Sequence, residues 1–210
     1  MNKAETYEFF KRLRDERPNP IPELDYHNHF TLLVAVVLSA QATDIGVNKA
    51  TKHLFAIADT PHAMVALGED AIRDHVKTIG LYKAKAANVF RLSQLLIDNH
   101  NGIVPDTEDA LVALPGVGRK TANVVLNIAF GKPTLAVDTH VFRVGNRTRL
   151  APAKNVEETE RKLLKKIPDE FIMNAHHWLI LHGRYVCKAR KPDCANCVVY
   201  DLCGYKDKSI

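Results

Sequence analysis

Three sets of residues in this chain have types and spacings that could do chemistry. The first is Lys120, which directly follows a tight turn in "LPGVGRKTANVV", Leu114 to Val125. A neutral lysine amine is a good nucleophile, but an ordinary pKa of about 10.4 leaves little of it neutral near pH 7. An adjacent cation, a helix N-terminus and burial each favour the neutral form. Arg119 and the turn supply the first two. The second is Asp138 in "PTLAVDTHVFRVGNR", placed after an apolar run and before the amphipathic "THVFRV". This is the pattern of a helix N-cap, worth about 1 kcal/mol. It is also the pattern of a fixed carboxylate that stabilises a developing cation or handles protons for an amine. The two readings are compatible, because a capping carboxylate is held in place.

The third set is the four cysteines, Cys187, Cys194, Cys197 and Cys203, spaced Cys-x6-Cys-x2-Cys-x5-Cys. Four thiols bunched this closely read as a metal-binding loop rather than as core packing. Disulfides are disfavoured in a reducing cytosol. Structural zinc usually shows paired short spacings, and here one pair is short. Iron–sulfur ligation accommodates uneven spacings, so the pattern favours iron–sulfur while leaving zinc open. Between the first two cysteines lies "KARKPD", whose Lys188, Arg190 and Lys191 suit either a phosphate backbone or plain solvent.

These residues need a scaffold, and the scaffold reads as helical. In "NVEETERKLLKKIP" the apolar Val156, Leu163, Leu164 and Ile167 share one face, Asn155 reads as the N-cap, and Lys165 and Lys166 fall in the last turn. The run "FTLLVAVVLSAQATD" is apolar almost all round and reads as a central buried helix. Further helices are expected in "ETYEFFKRLRDE", "DIGVNKATKHLFAIA", "PHAMVALGEDAIRDHVKT", "KAKAANVFRLSQLLIDN", "EDALVAL", "RKTANVVLNIAF" and "NAHHWLILHGR". No alternating strand pattern stands out, so the fold class is all-α. Around Lys120 a short acidic helix enters the Pro115–Gly118 turn and a second helix starts near Arg119, with Ala122, Val125, Ile128 and Ala129 as its packed face. Such a turn leaves the amides around Gly116, Val117 and Gly118 without helical partners at a positively polarised helix start. They can hold a phosphate oxygen. The same turn with nothing bound is an ordinary helix connection.

The bulk composition is compatible with this. The 210 residues carry 29 Lys and Arg against 24 Asp and Glu, a net charge of +5 that leans towards a polyanionic partner. The N-terminal "MNKAETYEFFKRLRDERP" mixes both charge signs without an apolar stretch, unlike a secretory signal. The apolar run "FTLLVAVVLSA" is about half of the roughly 20 residues that cross a bilayer. No membrane span and a cytoplasmic location are expected.

Taken together, "VLSAQATD", "KTIGLY", "LPGVGRKTANVVLN", "AVDTH", "HHWLILHGRY" and the cysteine loop closely resemble the bacterial endonuclease III family, of the helix–hairpin–helix DNA glycosylase superfamily. The likeness covers nearly the whole chain. It implies two helical lobes with a DNA-binding cleft between them. One is a six-helix bundle, residues 22–132, containing the helix–hairpin–helix at about 108–127. The other joins residues 1–21 to 133–210 and carries a [4Fe–4S] cluster on loop 187–203. The resemblance implies that Lys120 is the catalytic nucleophile and Asp138 the catalytic aspartate. It implies that Gln41 and Leu81 fill the gap left by a flipped nucleotide. Beside it, the turn amides and cationic residues read above make Gly116, Val117, Gly118, Arg119 and Lys191 the expected contacts to the DNA backbone. Cys187, Cys194, Cys197 and Cys203 match the cluster ligands.

The expected activity is a DNA glycosylase and AP lyase of base excision repair, acting as a monomer on duplex DNA with oxidised pyrimidines or abasic sites. In a bacterium it would be nucleoid-associated through DNA. Three rivals compete. Relatives that remove adenine opposite oxidised guanine typically lack the lysine and carry an extra C-terminal domain. A non-catalytic hairpin module would bind DNA without reacting. A small iron–sulfur electron carrier would need neither Gln41 nor the hairpin.

Overall fold

The structure, a computed structural model, describes residues 1–208. Among these residues the chain forms eleven helices and no strand. They are α1 (Lys3–Glu16), α2 (His29–Ser39), α3 (Asp44–Ile57), α4 (Pro61–Leu67), α5 (Glu69–Val76) and α6 (Tyr82–His100), then α7 (Glu108–Val112), α8 (Arg119–Phe130), α9 (Thr139–Arg147), α10 (Val156–Lys166) and α11 (Asp169–Tyr185). None of the described helices is long and apolar enough to cross a membrane. The chain divides into two compact units, one spanning Pro22–Lys132 and one joining Met1–Ile21 to the chain from Pro133 onward.

The Pro22–Lys132 unit is built around α2, buried without a break from Phe30 to Leu38. A helix that is apolar all round must lie inside, and α3, α6 and α8 pack against it. Leu33, Val37, Leu54, Val89, Leu92 and Val125 form the centre of the core. Two expectations are corrected here. The apolar run does not stay helical to Asp44, because α2 stops at Ser39. The Ser39 hydroxyl turns back to the Val36 carbonyl at 2.8 Å, and Thr43 starts α3 by accepting from the Gly46 amide at 3.2 Å. The segment "PHAMVALGEDAIRDHVKT" is two helices, split at Gly68 (φ 85°), so the unit has seven helices where six were expected.

The second unit gathers α1, α9, α10, α11 and the cysteine loop. Phe9, Phe10, Val141, Leu163, Phe171 and Trp178 lie in its core. Trp178 Nε1 donates to the Arg17 carbonyl at 2.8 Å, which ties α1 to α11. In α10 the Asn155 side chain accepts from the Glu158 amide at 2.9 Å, while the Glu158 carboxylate accepts from the Lys154 amide at 2.9 Å, one residue before the cap. Leu163 and Ile167 are buried, but Val156 and Leu164 are exposed and Thr159 and Glu160 take inner places. The inward stripe of α10 therefore follows 159, 160, 163 and 167, a helical spacing that the apolar pattern obscured. Helices α9 and α11 approach closely at Gly183, where a Cβ would stand 2.8 Å from the His140 Cβ.

Candidate active site and cluster loop

The turn before Lys120 joins α7 to α8. Leu111, Leu114 and Val117 are buried and anchor it. Gly116 has φ 79°, and a Cβ there would lie 2.9 Å from Nδ2 of Asn88 on α6. Backbone conformation and a close wall both demand glycine. Gly118 caps α8 in an extended conformation without a side chain to satisfy the helix's first amides. Val117 departs from the expectation: its side chain is buried and its amide donates to the Leu114 carbonyl at 3.1 Å. It serves as an anchor of the turn, while Gly116 and Gly118 on either side of it are exposed. Lys120 lies in the first turn of α8 and is exposed. Arg119 is also exposed, with Nε 3.7 Å from Glu108 Oε1, which links the starts of the two hairpin helices.

Gln41 and Leu81 are brought together. Both are exposed and both hold left-handed backbones, at φ 54° and 58°. The bends that carry them adjoin, since a Cβ on Gly80 would stand 3.7 Å from the Gln41 carbonyl oxygen. Buried Ile79 anchors the second bend, and Leu81, 61 % exposed, projects from it. A large apolar residue in a left-handed conformation and in solvent costs free energy twice. Such outliers concentrate at functional positions. One turn into α6, Lys85 is 5 % exposed and its Nζ has no hydrogen-bond partner within the described residues. Burial pushes its amine below the ordinary value.

In the other unit, Asp138 is the N-cap of α9, its Oδ1 accepting from the Val141 amide at 2.8 Å. The residues before it, Leu135 to Val137, are buried, and Asp138 itself is half-buried. One carboxylate oxygen is thus fixed while the group still reaches solvent. Burial lowers the pKa of neighbouring His140, and the Asp138 charge opposes this.

The four cysteines are half-buried and line one cavity together with Thr148, His182 and Tyr205. No three described His, Cys, Asp or Glu residues converge on a single-ion position. Four thiols around a shared space suit a cluster in which each iron takes one protein sulfur. Burial, with the other three thiols adding to it, pushes Cys197 up to about 11, so ligation displaces protons. Arg147 braces the loop: Nη1 lies 3.8 Å from Cys187 Sγ and 2.6 Å from the Lys188 carbonyl. Its Nη2 donates to the Ala189 carbonyl at 2.9 Å, and its guanidinium sits 4.9 Å from the Tyr205 ring centroid. Arg143 adds bonds to the Cys187 and Gly183 carbonyls at 3.0 and 2.8 Å. Lys191 is exposed with φ 48°.

Sequence reasoning missed Asn88, Lys85 and Arg147. Asn88 and Arg147 act on partners distant along the chain, where no local pattern points to them. A lysine between two alanines in "KAKAAN" at least hinted at an inward position for Lys85.

Comparison with known proteins bears on the same elements. The family model described as HhH-GPD superfamily base excision DNA repair protein matches residues 34–169, and that of the iron–sulfur binding domain of endonuclease III matches residues 187–203. The chain is 59 % identical over 208 residues to endonuclease III of Escherichia coli (strain K12), covering 99 % of each chain. It is 58 % identical over 208 residues to endonuclease III of Haemophilus influenzae, again with 99 % coverage of both. Among solved structures it superposes with a TM-score of 0.91 at 45 % identity on a trapped endonuclease III–DNA covalent intermediate, covering 97 % of this chain and 96 % of that one. A non-covalent endonuclease III–DNA complex gives the same values. The fold is shared with a thermostable thymine-DNA glycosylase at 24 % identity and a TM-score of 0.83, covering 96 % of each. The cysteine loop is the binding loop of a [4Fe–4S] cluster, as the match to the iron–sulfur binding domain and the endonuclease III relatives show. The chain is a member of the endonuclease III family, within the HhH-GPD superfamily of base excision DNA repair proteins.

Proposed function

We propose that this glycosylase is also an AP lyase, acting on oxidised pyrimidines and abasic sites in duplex DNA through a Schiff base on Lys120. The observation that carries this reading is the placement of Lys120: an exposed residue in the first turn of α8, immediately after a turn whose Gly116 and Gly118 are exposed. The endonuclease III relative trapped as a covalent DNA intermediate supports it.

The hairpin amides of Gly116 and Gly118 take a backbone phosphate, a contact that reads no sequence and so suits a searching enzyme. Arg119 and Lys191 add positive charge. Damaged bases stack and pair poorly, so extruding them costs less. Gln41 enters the vacated stack and hydrogen-bonds to the orphaned base, while Leu81 wedges between neighbours. The duplex excludes water from Lys120 and so favours its neutral amine.

The Lys120 nitrogen then forms a bond to C1′ and loses a proton as the glycosidic bond breaks. The base leaves with that electron pair and takes up a proton. Asp138 stabilises the positive charge on the sugar. The nitrogen lone pair then breaks the C1′–O4′ bond, O4′ keeps that pair and takes up a proton, and the resulting iminium acidifies C2′. Loss of a C2′ proton drives the C3′–O bond to break, releasing the 3′ phosphate. Hydrolysis of the imine returns the lysine. Cys187, Cys194, Cys197 and Cys203 would hold the cluster, whose iron–thiolate bonds would fold the loop bearing Lys191. One chain carries every group used, so the enzyme acts as a monomer, and its DNA contacts keep it on the bacterial nucleoid.

The test is borohydride trapping on a duplex with one thymine glycol. The protein should become covalently linked to the cut strand, and Lys120→Gln should abolish both the link and the strand break. Normal trapping by that variant would overturn the assignment.

A further inference from the structure

The position of Asp138 depends on a segment without helical support, and one side chain holds that segment. Leu135, Ala136 and Val137 are buried and lie outside any helix. A buried backbone carbonyl needs a hydrogen-bond partner, and leaving one unmet costs about 1–3 kcal/mol. The Ala136 carbonyl, two residues before Asp138, finds it in His176 Nδ1 at 2.9 Å. His176 is 6 % exposed in the middle of α11, so its own backbone is fixed by the helix. A carbonyl only accepts, so Nδ1 carries the proton and the ring's tautomer is set. The ring of His177 packs edge-on against it, with centroids 5.2 Å apart.

Asp138 is therefore pinned from both sides. The Val141 amide holds its carboxylate from the start of α9. His176 holds the chain that delivers it. We infer that His176 is a positioning residue for Asp138: it sets where the carboxylate stands relative to the sugar, without touching the substrate. This rests on the reading of Asp138 as the catalytic carboxylate. Displacing a catalytic group by about 1 Å costs on the order of 100-fold in rate, which is the scale on which a lost strut is felt.

The geometry also specifies its own rescue. Asparagine places its amide Nδ2 where the imidazole Nδ1 stood, whereas glutamine carries its amide one carbon further out. Single-turnover base excision on a thymine glycol duplex should fall about 10- to 100-fold for His176→Leu and His176→Gln. His176→Asn should recover most of the rate, and DNA affinity should stay within about threefold for all three. A space-filling role predicts the reverse order, with leucine and glutamine better than asparagine. That order, or a loss confined to DNA affinity, would overturn the inference. Should His176→Leu fail to fold, the Asn and Gln pair still decides. Asp138→Asn, run alongside, separates the two readings. Full activity of Asp138→Asn would sink the role of Asp138, while an inactive Asp138→Asn beside a fully active His176→Gln would sink His176 alone.

Discussion

A methyl group placed on Gly80 would stand 3.7 Å from the carbonyl oxygen of Gln41, which sets the bend after α2 against the bend before α6. The two residues proposed to fill the vacated base stack thus sit on abutting supports. Residues that share a support couple energetically. Gln41→Ala and Leu81→Ala are each expected to slow excision of thymine glycol from duplex DNA. The double variant should lose less than the product of the two, by an interaction of about 0.5–3 kcal/mol. Strict multiplicativity in a double-mutant cycle would show that the two bends act independently.

Gly116 is constrained by its own backbone and by Asn88. Gly116→Ala is expected to destabilise the protein by at least the roughly 1–2 kcal/mol of a left-handed residue with a Cβ, and to weaken DNA binding. Removing the wall with Asn88→Gly should relieve only the steric part. Denaturant unfolding of the single and double variants measures both contributions.

Lys85 is a buried amine whose Nζ has no hydrogen-bond partner among the described residues, so replacing it by methionine removes a liability while keeping the length of the side chain. Lys85→Met should stabilise the fold by about 1–3 kcal/mol near pH 7. The pH dependence has a definite sign. The folded-state value lies below the ordinary 10.5. At pH below both values the amine is charged in both states, and the folded protein bears the whole burial cost. As pH rises through the depressed folded value towards 10.5, the folded protein sheds the proton first and the native chain gains stability relative to the variant. Thermal melts from neutral to alkaline pH should show the gap narrowing.

Arg147 spans the start of the cysteine loop and the Tyr205 ring beyond its end. Arg147→Met should leave the helical core intact by circular dichroism but speed loss of the visible iron–sulfur absorption in air. Replacing Cys194 by alanine should prevent stable cluster assembly altogether. A variant at Arg147 that retained its cluster as long as the native protein would show that the brace is dispensable.

Much of this molecule is written in short-range chemistry. Asn155 and Asp138 cap their helices through amides three residues on, and such caps are legible because partner and side chain lie within one turn. The hairpin turn and the bunched cysteines are legible for the same reason. Glycine marks a left-handed backbone, and thiols spaced a few residues apart share one ligand. The helix breaks at Ser39 and Gly68 and the inward stripe of α10 were not readable, because apolar periodicity runs on through a bend and because packing chose which flank of α10 faces the core. Tertiary structure alone placed His176 on the Ala136 carbonyl and Arg147 on Cys187, each pair 40 residues apart. It alone set the Gln41 bend beside Gly80. Such contacts leave no periodic trace, since each depends on how whole helices pack and not on the residues between the partners.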